Sequence, residues 1–131
     1  MKIWLDDIRL PPSRGWLWLR DIDDLKQFRD EIGFEYIREI SFDHDLGQQL
    51  VVVSGFGREI QMAATKTKAT GYDCAKLLIE YHMEMEERWS GGFTFPKWSV
   101  HSANPVGAEN ITKLLENYEK HITNEKQKSK S

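Results

Sequence analysis

One stretch of the chain indicates the fold: Ile40-Ser41-Phe42-Asp43-His44-Asp45-Leu46-Gly47. Its apolar residues lead directly into two acids and an imidazole, and a glycine follows. Such a stretch is typical of a strand that enters the core of an α/β domain, because ligands of these domains bind beyond the carboxyl ends of the strands. Two other short apolar runs end in the same way, residues 2–5 before Asp6 and Asp7 and residues 98–100 before His101.

Strand patterns alternate with helix patterns along the chain. Apolar residues spaced by three and four positions predict helices over residues 21–32, 70–88 and from Asn104 onward. Residues 16–19 form a second apolar run, and the proline-containing link before it leaves little room for a crossover helix. This order predicts an α/β fold with a mainly parallel sheet of about four strands and helices on both faces. Right-handed crossovers would bring the three polar strand ends to one edge.

The length fits a single domain, which we place at residues 1–123. Within it, residues 48–69 form an insertion in which a hairpin could turn at residues 55–57. The insertion is either a binding loop or a surface decoration, and the sequence leaves both open. Residues 124–131 are polar and lysine-rich, and we expect a disordered tail there.

Composition restricts the partners and the compartment. The net charge of −3 provides no broad basic face, so long duplex nucleic acid is not the expected partner. The absence of a secretory leader and of a bilayer-length apolar run favours a cytoplasmic protein without a membrane partner. The single cysteine, Cys74, lies at an apolar helix position and is predicted to be buried. Nothing in the sequence indicates an oligomeric state.

The predicted edge brings four carboxylates together: Asp6, Asp7, Asp43 and Asp45. Crowded carboxylates repel one another unless a proton or a cation neutralises them, and oxygen ligands suit Mg²⁺ or another divalent metal. The alternative for the Asp6 pair is a simple loop cap at the end of a strand.

Other residues at this edge fit a bound phosphate. Arg9 could hold the acids together, or it could bind a phosphate with its fork of donors. The amides of Ala103 to Gly107 lie at a helix start, a ready anion site. His44 and His101 follow neighbouring strands and could exchange protons at neutral pH as general base and acid. The alternative is that each histidine is hydrogen-bonded and structural. His82 and His121 have no such context.

Four blocks together carry a family resemblance: residues 4–11 (WLDDIRLP), 41–47 (SFDHDLG), 70–73 (TGYD) and 101–107 (HSANPVG). Asp6-Asp7, Asp43 and Ser102 resemble the acidic pair, phosphoacceptor and Ser/Thr of response-regulator receiver domains, which have a flavodoxin-like fold. The four blocks more closely resemble the cyclic-phosphate processing receiver domain, over most of residues 1–120. That resemblance implies an acidic pocket at Asp6, Asp7 and Asp43.

The resemblance also implies a substrate class, and the sequence departs from a signalling receiver in two ways. The family is associated with cyclic phosphates such as 2′,3′-cyclic nucleotide ends, and His44 and His101 would be the histidines that ordinary receivers lack. A signalling receiver has a lysine after a fifth strand, and neither is evident in this sequence. Phosphorelay switching is therefore not expected.

These observations lead to two main hypotheses. The first is a phosphoesterase acting on a small-molecule or RNA-end cyclic phosphate, with His44, His101 and Asp43 catalytic and with Arg9, Ser102, Asn104 and Gly107 holding the phosphate. The alternative is a degenerate receiver-like module that binds a nucleotide or a protein without turnover. A third hypothesis is a nucleic-acid end binder that uses Trp16, Trp18, Arg20 and the lysines around residue 66, although we expect core packing to account for the tryptophans.

Overall fold

A computed structural model describes residues 1–46, 50–55, 59–64, 69–88 and 94–128. In chain order the elements are β1 (Lys2–Leu5), β2 (Trp16–Leu19), α1 (Ile22–Glu31), a 3-10 turn (Phe34–Tyr36), β3 (Glu39–Phe42), β4 (Leu50–Gly55), β5 (Glu59–Ala64), α2 (Gly71–Arg88), β6 (Lys97–Val100) and α3 (Pro105–Lys128). No helix in these ranges combines the length and the apolar composition needed to cross a membrane.

The main sheet has four strands in the order β2-β1-β3-β6, and all its pairs are parallel. With the helices of the described residues, this confirms the predicted flavodoxin- or receiver-like α/β fold. In the described part of the chain β6 is followed by α3 and not by a fifth strand, as the sequence predicted. The link between β1 and β2 contains no helix, which agrees with its length and its Pro11-Pro12 pair.

One face of the sheet packs against the helices. The buried strand residues that share the core with helix residues Leu25, Leu78 and Ile111 all belong to this face; they are Ile3, Leu5, Leu19, Ile40 and Phe42. The crossovers through α1 and α2 run in the same direction across the sheet, so the right-handed rule places both helices on the same side. The expected helices on the second face are therefore not found in the described residues, because the short β1–β2 link cannot form one.

The second face, which we call the open face, has a different composition. Alternation along the registered strands places on it Lys2, Trp4, Trp16, Trp18, Glu39, Ser41, Lys97 and Ser99. The three tryptophans on this face are partly exposed and do not belong to the core cluster. Our expectation that core packing accounts for Trp16 and Trp18 is therefore wrong, because both project away from the helices.

The remaining elements confirm one expectation and correct another. β4 and β5 pair antiparallel, which agrees with the hairpin considered for the insertion, and the turn expected at residues 55–57 falls partly outside the described residues. Residues 124–128 continue α3 instead of starting a disordered tail. Glu125, Lys126, Gln127 and Lys128 are all good helix formers, so the polar composition does not end the helix.

Side-chain caps stabilise the helix starts. The Asp21 carboxylate accepts a hydrogen bond from the Asp24 amide at 2.8 Å, and the Asn104 side chain accepts one from the Gly107 amide at 3.1 Å. At α2 the Asp73 carboxylate accepts from the Thr70 amide at 2.8 Å. Cys74, on the inner side of α2, is fully buried as predicted, and burial raises the pKa of its thiol.

Candidate functional site

The carboxyl ends of β1, β3 and β6 lie side by side, as the sequence predicted. Backbone pairing continues one residue beyond the strands, since the Asp43 amide donates to Leu5 O at 2.9 Å and the His101 amide donates to Phe42 O at 3.0 Å. Asp6, Asp43 and His101 therefore start from rigidly held positions on three adjacent strands.

Three of the four predicted carboxylates come together. Asp6, Asp7 and Asp43 each offer an oxygen, and these oxygens all lie within 4.8 Å of one another. We call this group the acidic centre. A set of three carboxylate oxygens suits a hard divalent cation such as Mg²⁺. Asp45, the fourth predicted ligand, lies outside this group and contacts His44 instead.

The crowding at the acidic centre affects Asp43. Burial, followed by the negative charge of Asp6, raises the pKa of Asp43 above its ordinary value. A hydrogen bond with the Ser102 side chain acts in the opposite direction. Ser102, which was predicted to bind the phosphate, is thus in direct contact with the acidic centre.

Asp6 organises the loop that follows β1. Its carboxylate is almost fully buried, and Oδ1 accepts hydrogen bonds from the amides of Ile8 and Arg9, each at 2.8 Å. Its Oδ2 lies 3.0 Å from His101 Nε2. The predicted loop-cap role and the acidic-centre role therefore coexist in one residue.

Hydrogen bonds at both ring nitrogens and a stacked tryptophan fix the His101 side chain. Its Nδ1 lies 2.7 Å from Ser41 Oγ, which accepts a hydrogen bond from Ser99 Oγ at 3.0 Å. Its ring also stacks on Trp4, with centroids 3.7 Å apart and planes 7° apart. Burial, the largest influence, lowers the pKa of His101. A neutral ring that donates from Nε2 to Asp6 and accepts at Nδ1 from Ser41 satisfies the whole chain of hydrogen bonds.

His44 has different surroundings. Its Nδ1 lies 2.8 Å from Asp45 Oδ1, and its ring packs so closely on α3 that a Cβ at Gly107 would lie 2.2 Å from its Cγ. Within the described residues, Nε2 of His44 has no hydrogen-bond partner. The two predicted catalytic histidines thus have separate sets of contacts, and only His101 contacts the acidic centre.

The other predicted phosphate ligands are near the same edge but partly engaged. Arg9 is exposed, and its guanidinium donates from Nη1 to the His101 carbonyl at 3.2 Å. The Gly107 amide is used by the Asn104 cap, and Asn104 Nδ2 donates to Asp45 at 3.4 Å.

Sequence reasoning missed three residues that support this site. Trp4 and Ser41 hold His101, and Gly71 lets α2 start against β3, because a Cβ there would lie 1.8 Å from the Asp43 carbonyl oxygen. A serine inside an otherwise apolar strand was the available signal for Ser41. The Trp4 contact depends on side-chain direction, which the pattern does not specify.

A family comparison agrees with this geometry. The model of the cyclic-phosphate processing receiver domain matches residues 1–117. The chain belongs to this family. The match includes every residue of the acidic centre and both histidines that follow β3 and β6. Searches of curated proteins and of solved structures found no match.

Proposed function

We propose that this member of the cyclic-phosphate processing receiver family is a phosphoesterase that opens a cyclic phosphate at the acidic centre. The observation that carries the proposal is the group of Asp6, Asp7 and Asp43 oxygens within 4.8 Å at the sheet edge. Such a group offers the oxygen ligands that a divalent cation prefers, and the family match makes a cyclic phosphate the expected substrate. A bound cation would neutralise charge on the phosphate oxygens.

The proposed reaction is hydrolysis of one ester bond. The oxygen of a water molecule attacks phosphorus, the bond from phosphorus to one ring oxygen breaks, and that oxygen leaves as a hydroxyl group after taking up a proton. The product is a phosphate monoester. The chain must therefore remove one proton from water and supply one to the leaving oxygen.

His44 is the better candidate for this proton transfer. Asp45 holds its Nδ1, which leaves Nε2 to accept or donate a proton, and the side chain is 20% exposed. His101 has both nitrogens engaged by Ser41 and Asp6, so we assign it the role of positioning Asp6. Arg9 and Ser102 would contact phosphate oxygens at the edge of the centre.

The test is hydrolysis of 2′,3′- and 3′,5′-cyclic nucleotides by the purified protein, with Mg²⁺ or Mn²⁺ and with a chelator. We expect Asp43→Asn to lower turnover by at least about 100-fold, because it removes charge from the acidic centre. His44→Gln should lower kcat by about 10²- to 10⁴-fold. Asp23→Asn, an exposed carboxylate on α1, is the matched control and should leave turnover unchanged.

Two results would contradict the proposal. Turnover that survives both Asp43→Asn and the chelator would place the chemistry elsewhere. Saturable binding of a cyclic nucleotide with no hydrolysis under any metal condition would favour the degenerate binding module.

A further inference from the structure

The open face lies directly beside the acidic centre. Trp18 Nε1 donates to the Asp6 carbonyl at 2.6 Å, and Trp4 stacks on the His101 ring that contacts Asp6. A ligand whose phosphate occupies the acidic centre would therefore have the tryptophan-bearing strands β1 and β2 next to it. The helices cover only the other face, so in the described residues this surface is not used for the core.

The face combines aromatic rings with positive charge. Trp4 and Trp16 make an edge contact with centroids 5.7 Å apart. Lys2 Nζ lies 5.4 Å from the Trp16 ring, and the Arg20 guanidinium lies 4.4 Å from the Trp18 ring. Lys97 adds a further exposed cation on β6, whereas Glu39 is the acid that the strand register places on this face.

This composition suits single-stranded nucleic acid and contrasts with the net charge of −3 on the whole chain. Proteins that bind single strands stack bases on aromatic side chains and contact the phosphates with Lys and Arg. Neighbouring strands lie about 4.8 Å apart, so the four strands present a surface roughly 14 Å wide, enough for two or three nucleotides. A purely apolar partner would leave the cations of this face without counter-charges.

We infer that the open face binds the last nucleotides of a single-stranded RNA whose 3′-terminal cyclic phosphate lies at the acidic centre. The inference rests on the proposed function in one respect, since the cyclic phosphate determines which end of the strand is bound. RNA is the polymer concerned, because only ribose carries the 2′-hydroxyl that closes a 2′,3′-cyclic phosphate. Trp16 would stack a base, and Lys2 and Lys97 would contact phosphates.

The test measures binding of a 5′-labelled hexanucleotide RNA by fluorescence anisotropy. An abasic ribose-phosphate oligomer of equal length is the ligand control. Trp16→Ala should weaken RNA binding by about tenfold or more, whereas Trp16→Phe should retain most of the affinity. Leu17→Ala changes the next residue of β2, which is 40% exposed on the other face, and should bind RNA like the wild type.

Charge is tested in the same assay. Lys97→Gln should reduce the slope of log affinity against log salt by about one. Lys26→Gln removes an exposed lysine from α1, on the helix-covered side, and should leave the slope unchanged. Equal RNA binding by Trp16→Ala and Leu17→Ala would overturn the inference, and so would equal affinity for the abasic oligomer. A dimer that Trp16→Ala dissociates in sedimentation would assign the face to a second copy instead.

The two proposals fail in different ways. If the wild type hydrolyses cyclic phosphates and Trp16→Ala hydrolyses long RNA ends as well as the wild type does, the open-face inference is wrong and the proposed function remains. If RNA binding depends on Trp16 and no cyclic phosphate is hydrolysed, the open-face inference remains and the proposed function is wrong.

Discussion

At the scale of single residues, His101 and His44 show how similar sequence contexts lead to different roles. Each follows an apolar run that ends at the same sheet edge. His101 has both ring nitrogens engaged and a tryptophan stacked on its ring, whereas His44 is held at Nδ1 only. This difference is the reason why we propose positioning for His101 and proton transfer for His44.

The buried environment of His101 predicts a pH dependence of stability. Its pKa is lowered from 6.5, so the unfolded chain binds the proton more tightly than the folded protein does. The corresponding contribution to the free energy of unfolding is complete above about pH 6.5 and is lost as the pH falls through the folded-state pKa. In His101→Gln we expect a smaller Tm difference between pH 7.5 and pH 5.5, measured with a chelator present. An unchanged difference would contradict this assignment.

Gly107 is predicted to position His44. An alanine methyl group would lie within 2.6 Å of three atoms of the His44 ring, so the ring must leave Asp45. Gly107→Ala should therefore lower kcat about as far as His44→Gln does. Gly15→Ala is the control, because no atom lies within 4 Å of its added methyl group. The double variant Gly107→Ala with His44→Gln tests whether Gly107 acts through His44. A further loss of kcat in the double variant, relative to His44→Gln alone, would show that Gly107 acts independently of His44.

At the scale of elements, the links between the strands decide which surfaces are available. The β1–β2 link is held by hydrogen bonds of its backbone amides to Asp6 and of the Trp4 indole to the Arg9 carbonyl. Because this link replaces a helix, the helices of the described residues leave the second face of the sheet uncovered. The same loop contains Arg9 and places it near the site. One short connection therefore determines both which face of the sheet is uncovered and where Arg9 lies.

The capping of α1 gives a prediction about stability. Asp21→Ala removes the carboxylate that accepts from the Asp24 amide, and it should reduce the free energy of unfolding by about 1 kcal/mol. Chemical denaturation at neutral pH measures this loss. Asp23→Ala, which also removes an acid near the start of α1, provides the comparison. A larger loss in Asp23→Ala than in Asp21→Ala would show that the cap is not the main contribution of these acids.

At the scale of the whole molecule, the cation binding proposed for the acidic centre would be coupled to folding. Burial and the charge of Asp6 raise the pKa of Asp43, so its carboxylate destabilises the folded state at neutral pH in the absence of a cation. Asp43→Asn should therefore raise the Tm in chelator above that of the wild type.

A bound cation should instead make the wild type more stable than Asp43→Asn. Saturating Mn²⁺ is expected to stabilise the wild type, because it binds the folded state only, and to have a much smaller effect on Asp43→Asn. Thermal melting with and without Mn²⁺ measures both shifts. Equal Mn²⁺ shifts in the wild type and the variant would show that the bound cation does not use Asp43.

The sequence by itself determined most of the elements, the parallel pairing and which strand ends meet at one edge of the sheet. Apolar spacing and capping residues specify local structure, and the right-handed crossover rule then fixes which strand ends meet; Asp6, Asp43 and His101 could be placed together on that basis. The family blocks, which lie within the matched residues 1–117, carried the expected substrate class.

Only the tertiary structure decided which side chains share a contact and which face of the sheet is covered. Asp45 follows Asp43 by two residues yet contacts His44, because side-chain direction at a strand end depends on packing and not on spacing. The tryptophans of β1 and β2 have the composition of a core, but in the described part of the chain the helices lie on one side of the sheet. Their role therefore depends on the missing crossover helix, a feature of the whole fold that no local pattern specifies.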